Sequence, residues 1–230
     1  MPKPVNTLSS LIILLSLLLA SPAAASSQPA AGIDYSALDA VITAQMRKHD
    51  LPGVALAVTD GDEIVYLKGY GSAGPQAMSP QTQMFIGSQS KSFTALAIAQ
   101  LAGQGKLNLN APVRAYLPWF KVADEEASAR ITLNQLLHHT SGLSESGYSV
   151  LLPPSASIAA AVRSLASARL TAPVGSTFQY FNLGYDVLAC IIETVTGQPY
   201  AAYIQANIFA PLGMTRSTAD PSAATALSWG

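Results

Sequence analysis

Residues 85–104 read Phe85-Ile86-Gly87-Ser88-Gln89-Ser90-Lys91-Ser92-Phe93 followed by TALAIAQLAGQ, and this stretch decides the fold. From Ser88 onward the side chains are small or apolar almost all round, until Gly103 and Gly105 stop the pattern. The spacing predicts a helix over Ser88–Gln104. A helix without a polar face is normally buried at the centre of a domain, so other elements must cover it.

Upstream, Leu38, Val41, Ile42 and Met46 form one stripe of a helix over Ser36–His49, with Asp34 and Ser36 both available as N-caps. Val54–Thr59 and Ile64–Gly69 are short β-type runs on either side of Asp60-Gly61-Asp62-Glu63, which reads as a hairpin. Residues 71–83 carry Gly, Pro and Ser without period and read as loop. Downstream, helical patterns recur at Leu133–His138, Ile158–Ser167, Gly184–Thr196 and Tyr200–Ile208. The class is therefore α+β, a helical region packed with an antiparallel sheet. Two strands are marginal alone, and no closing strand follows, so the sheet is expected to be unfinished.

Composition narrows the function. Of 230 residues, 50% are hydrophobic and 11% charged, with a net charge of −1, which excludes a disordered chain and offers nucleic acid no basic field. The single cysteine, Cys190, rules out an intramolecular disulfide, and its apolar surroundings suggest a buried, unreactive thiol. Residues 1–25 read as a secretory signal peptide. Lys3 precedes an apolar run over 11–20, and Ala23-Ala24-Ala25 supplies the cleavage site ahead of Ser26. The apolar run is shorter than the roughly 20 residues of a membrane span. Residues 26–32 form a small-residue linker and 33–230 the domain, expected in the periplasm or outside the cell.

Ser88 and Lys91 carry the first chemical signal. Their i,i+3 spacing puts both side chains on one helix face, and first-turn amides favour negative charge developing near Ser88. A lysine stripped of water by apolar neighbours can take a proton from a serine hydroxyl. Taken alone, the pair also fits a serine N-cap followed by a surface lysine. Lys91 is, however, the only lysine between Lys68 and Lys106, and it lies in the most apolar helix. The second signal is Tyr180-Phe181-Asn182, between a Pro/Gly loop and a helix. Tyr180 could relay a proton and Asn182 could bond a substrate amide; packing and capping serve equally well as local explanations.

Four segments occur together: GSQSKSFTALAIAQLAGQGKL from 87, ITLNQLLHHTSGL from 131, PVGSTFQYFNLGYDVLACIIETVTG from 173 and IFAPLGM from 208. In this order and spacing the chain closely resembles the serine β-lactamase-related family, from about Asp34 to Thr218. That family includes class C β-lactamases, penicillin-binding DD-peptidases, esterases and D-aminopeptidases. The resemblance implies that Ser88 is the acylated nucleophile, Lys91 its activating partner, Tyr180 the general base, and Asn182 a substrate contact. It implies no metal or organic cofactor. The family's third motif, a Lys-Thr-Gly or His-x-Gly strand that supplies an oxyanion donor, has no match, and the chain reads as C-terminally truncated.

The function expected is that of an exported serine hydrolase forming an acyl-enzyme with a β-lactam, a D-amino-acid peptide or an ester. The alternatives are a non-catalytic envelope protein binding peptidoglycan peptides, or an inactive fragment. The substrate is a small molecule or peptide; oligomeric state is left open. Other motifs are weaker. Adjacent His138 and His139 on a helix point about 100° apart and lack a carboxylate at ligand spacing. Asp124-Glu125-Glu126 reads as a solvated loop, and Tyr116 and Trp119 as packing residues. Ser141 near His139 lacks an orienting acid.

Overall fold

The computed structural model describes residues 34–151, 153 and 156–223. The signal peptide and linker expected over 1–32 lie outside these residues. The sheet comprises β1 (Gly53–Asp60), β2 (Glu63–Ala73) and β3 (Gln76–Ala77), antiparallel in the order β1-β2-β3. β1 and β2 pair from Gly53↔Gly71 to Asp60↔Glu63, so the expected hairpin forms, with an irregularity at Val58/Thr59. β2 runs past Gly69, into residues read as loop. A Cβ on Gly69 would sit 2.2 Å from the Met78 carbonyl oxygen, so only glycine lets the returning chain approach there.

Helix α1 (Ser36–Lys48) lies against this sheet. Asp39 accepts hydrogen bonds from the hydroxyls of Tyr66 and Tyr70 and pairs with the Lys68 ammonium. These three residues alternate along β2 and so share one sheet face. No side chain of α1 is buried, so polar contacts rather than apolar burial mark its junction with the sheet.

The apolar core belongs to the helical region: α2 (Ser90–Gly103), α3 (Glu125–Arg130), α4 (Leu133–Leu137), α5 (Ile158–Ser164), α6 (Leu183–Thr196) and α7 (Tyr200–Ile204). Buried Tyr66, Tyr70, Ala73 and Met78 of the sheet region lie outside that core. The central helix is α6, not α2. It buries Val187, Leu188, Ile191 and Ile192 completely, each worth about 1.5–3 kcal/mol of apolar burial. Burial pushes the Cys190 thiol up, as its apolar run suggested.

Helix α2 is one-sided: Thr94, Ala97, Ile98 and Leu101 are buried, whereas Leu96 is exposed. The all-round apolar pattern therefore does not correspond to all-round burial. Asp124-Glu125-Glu126 is a helix start and not a loop: Asp124 accepts the Ala127 N–H at 2.9 Å, and Glu125 forms a two-pronged pair with Arg114. Thr132 and Gln135 close a capping box on α4, which points the chain into the turn that follows. α7 continues as a π-helical turn over Gln205–Phe209. Trp119 and Tyr116 pack against the core as expected, and the Arg163 guanidinium covers Trp119 at 4.0 Å. Among the described residues, no helix is long and apolar enough to cross a membrane.

Candidate active site

Ser88 lies in a single 3-10 turn, Gly87–Gln89, that leads into α2. Gly87 has φ 52°, a left-handed conformation open to glycine, so the chain turns sharply just before Ser88. Lys91 stands in the first turn of α2. The expected i,i+3 geometry holds: its Nζ donates to Ser88 Oγ at 3.1 Å.

Tyr180 and Asn182 arrive from a different part of the chain. The segment 169–179 is strung along the turn after α4 by four backbone bonds. Arg169 N–H donates to Gly147 O, Thr171 to Gly142 O, Gly175 to Thr140 O and Gln179 to His139 O. This ladder delivers the Tyr180 hydroxyl to 2.6 Å from Ser88 Oγ. Two residues later, at the entrance to α6, Asn182 Oδ1 accepts from Lys91 Nζ at 2.8 Å. All four residues singled out in the sequence thus converge on one point, across about ninety residues of chain.

The electrostatics favour a proton leaving serine. The Lys91 ammonium beside Tyr180, foremost, and the hydrogen bond with Ser88 hold the Tyr180 phenol below its usual range. Lys91 Nζ also lies 4.9 Å from the centre of the Tyr180 ring and 5.7 Å from that of Tyr185. Tyr185 is fixed by donating to the Leu137 carbonyl. Tyr180 is 40% exposed, so an incoming molecule can reach its hydroxyl. A serine hydroxyl bonded to such a phenol, with an ammonium on the same oxygen, can give up its proton as it attacks an electrophilic carbon.

Two residues at the site escaped the sequence reading. Glu145 Oε1 accepts both the backbone N–H and the side-chain Nδ2 of Asn182, at 2.9 and 2.8 Å. His139, considered in the sequence as a metal ligand, packs its ring 4.5 Å from that of Tyr180. Its Nδ1 accepts the Phe181 N–H at 3.2 Å, which places the ring proton on Nε2. Burial, foremost, and the Lys91 charge lower its pKa, so the imidazole is neutral near neutral pH. Neither residue has a local signal, because both act through contacts that exist only after folding.

The weaker candidates do not converge. His138 turns its Nδ1 back to the Asn134 carbonyl, away from the partners of His139. Ser141 is buried, and its hydroxyl accepts the Leu143 N–H in a local turn. No cluster of three or more His, Cys, Asp or Glu suited to a metal ion occurs among the described residues.

The profile of the Beta-lactamase family matches residues 38–227. "Protein flp" of Staphylococcus aureus strain COL is 32% identical over 186 residues, covering 79% of this chain and 37% of that protein. "Esterase EstB" of Burkholderia gladioli is 35% identical over 197 residues, covering 77% of this chain and 49% of the esterase. Among solved structures, the octameric penicillin-binding protein homologue of Pyrococcus abyssi superposes with a TM-score of 0.73 at 33% identity. That match covers 84% of this chain and 46% of the homologue. The chain therefore spans between a third and a half of the length of these relatives.

Proposed function

The chain belongs to the Beta-lactamase family, and we propose that it carries the nucleophile and base of a serine hydrolase working through an acyl-enzyme. One observation carries this reading: Ser88 Oγ lies 2.6 Å from the Tyr180 hydroxyl and 3.1 Å from Lys91 Nζ. In the proposed sequence, Tyr180 as phenolate takes the Ser88 proton while Oγ forms a bond to the substrate carbonyl carbon. Negative charge gathers on the carbonyl oxygen, close to the Ser88 N–H at the start of the turn. The carbon–leaving-group bond then breaks, and the leaving group takes the proton from Tyr180. Water attacks the ester, gives its proton to Tyr180, and Ser88 Oγ leaves with that proton restored.

Lys91 keeps Tyr180 acidic enough for this exchange. Asn182 uses one Nδ2 hydrogen on Glu145, and its other is left to meet a substrate carbonyl. The substrate class is a β-lactam, a D-amino-acid peptide or an ester. The names of two relatives, an esterase and a penicillin-binding protein homologue, support acyl chemistry over this range. Export to the periplasm or medium is proposed from the signal-like residues 1–25.

The test is rapid-mixing hydrolysis of p-nitrophenyl acetate by the full-length protein. The reading predicts a burst of nitrophenol close to one equivalent of protein, absent in Ser88→Ala. Hydrolysis at the parental rate by that variant would overturn it. A folded parental protein that binds peptidoglycan peptides but gives no burst would indicate a non-catalytic envelope protein.

A further inference from the structure

We infer that Glu145 is a positioning residue for the reaction at Ser88, locking the Asn182 amide so that its oxygen faces Lys91. This rests on the acyl-transfer reading above. Glu145 opens a one-turn segment, Glu145–Gly147, that is tied to the ladder by the Arg169 N–H on the Gly147 carbonyl. From there Oε1 takes both hydrogen bonds from Asn182, one from the backbone and one from the side chain.

The orientation of the amide follows from donors and acceptors alone. With Oδ1 toward Lys91, every contact joins a donor to an acceptor. Rotated by 180°, Nδ2 would face the ammonium and Oδ1 would face the carboxylate, two repulsive contacts in place of two bonds. Glu145 therefore selects one amide rotamer, and that rotamer holds Lys91 Nζ within reach of Ser88 Oγ. None of the ion pairs among the described residues involves Lys91, so Asn182 stands between this cation and the Glu145 carboxylate. The order is ammonium, amide dipole, carboxylate.

The role depends on an acceptor oxygen and not on charge. Glutamine retains that oxygen at the same reach, so Glu145→Gln should preserve the lock, whereas Glu145→Ala removes it. Because Glu145 reaches Lys91 only through the Asn182 side chain, the two losses should be less than multiplicative, with the bond from the Asn182 backbone N–H the only part left to lose once that side chain is gone.

The experiment measures the rate of Ser88 labelling by a fluorophosphonate probe in the full-length protein, with thermal melts to verify folding. The variants are Glu145→Gln, Glu145→Ala, Asn182→Ala and the Glu145→Ala/Asn182→Ala double. We expect Glu145→Gln to stay within about threefold of the parent, the scatter of an ordinary surface change. Glu145→Ala should be slower by about tenfold or more, since both bonds from Asn182 to the carboxylate are lost. The double variant should lose clearly less than the product of the two single losses. Parental labelling by Glu145→Ala, equal slowing in Glu145→Gln and Glu145→Ala, or multiplied losses in the double would each overturn the inference. A parental protein that takes no label would overturn the acyl-transfer reading itself, before any variant is compared.

Discussion

His139 holds the residues on both sides of Tyr180: its carbonyl accepts the Gln179 N–H at 2.6 Å and its Nδ1 accepts the Phe181 N–H at 3.2 Å. The imidazole also packs on the Tyr180 ring. The phenol that faces Ser88 is thus aimed by a residue more than forty positions earlier. His139 has φ 55°, a conformation that asparagine tolerates better than most side chains. His139→Asn keeps an acceptor oxygen near the position of Nδ1, whereas His139→Ala loses the acceptor and the ring. We expect His139→Ala to slow acylation by about tenfold or more, and His139→Asn to lose distinctly less. Equal rates in the two variants would remove the Phe181 tether from the account.

Lys91 donates to Ser88 Oγ and Asn182 Oδ1 at once. The guanidinium of Lys91→Arg is planar and longer, so it cannot place donors on Ser88 Oγ and Asn182 Oδ1 in the same geometry. Lys91→Arg should be nearly as damaging as Lys91→Ala, each falling by on the order of 10²–10⁴-fold. Stopped-flow ester hydrolysis checks this. Near-parental turnover by the arginine variant would show that any cation at this position suffices and that the two-point contact of Lys91 is dispensable.

Tyr180→Phe keeps the ring that packs on His139 and removes only the hydroxyl. A fall of about 10²–10⁴-fold is expected if the phenol exchanges protons with Ser88. The pH dependence supplies the sign. The phenol is held below its ordinary value of 10.0, so the reactive phenolate fraction grows at lower pH than for a free tyrosine. The rising limb of the acylation rate should therefore lie below pH 10 and vanish in Tyr180→Phe. A limb centred at or above 10 would contradict the arrangement.

Asp39 is held at about 2 by its hydrogen bonds from Lys68, Tyr66 and Tyr70, against 3.8 in an unconstrained chain. A depressed carboxylate stabilises the fold fully above its unfolded value, and that stability is lost as pH falls through the folded one. Thermal melts of the parent should drop between about pH 4 and pH 2, and Asp39→Asn should flatten that part of the curve while lowering the melting temperature at neutral pH. Parallel acid profiles in the two proteins would place the acid-sensitive contact elsewhere.

The sequence made some of this architecture readable, for specific reasons. Ser88 and Lys91 were visible because a helix brings i and i+3 together without help from tertiary structure. Tyr180 and Asn182 lie about ninety residues further on, and only the resemblance, with several segments in register, connected them to Ser88 in advance. Glu145 and His139 were not legible as parts of the site, since a single acidic residue in a serine-rich loop and a histidine after a short helix have many local explanations. Alanines look apolar on any face, so the pattern of α2 overstates its burial; Leu96 and Ala99 are exposed, and α6 is the more deeply buried helix. The start of α3 was present as an Asp N-cap followed by acidic first-turn residues, a signal obscured by its resemblance to a charged loop.

Peptide mapping by mass spectrometry of the full-length protein after reaction with a fluorophosphonate tests directly whether Ser88 is the acylated nucleophile. A single stoichiometric adduct is expected on the peptide carrying Ser88, slowed in Tyr180→Phe and Lys91→Arg and absent in Ser88→Ala. A stoichiometric adduct on any other serine, or undiminished labelling of Ser88→Ala, would contradict that assignment.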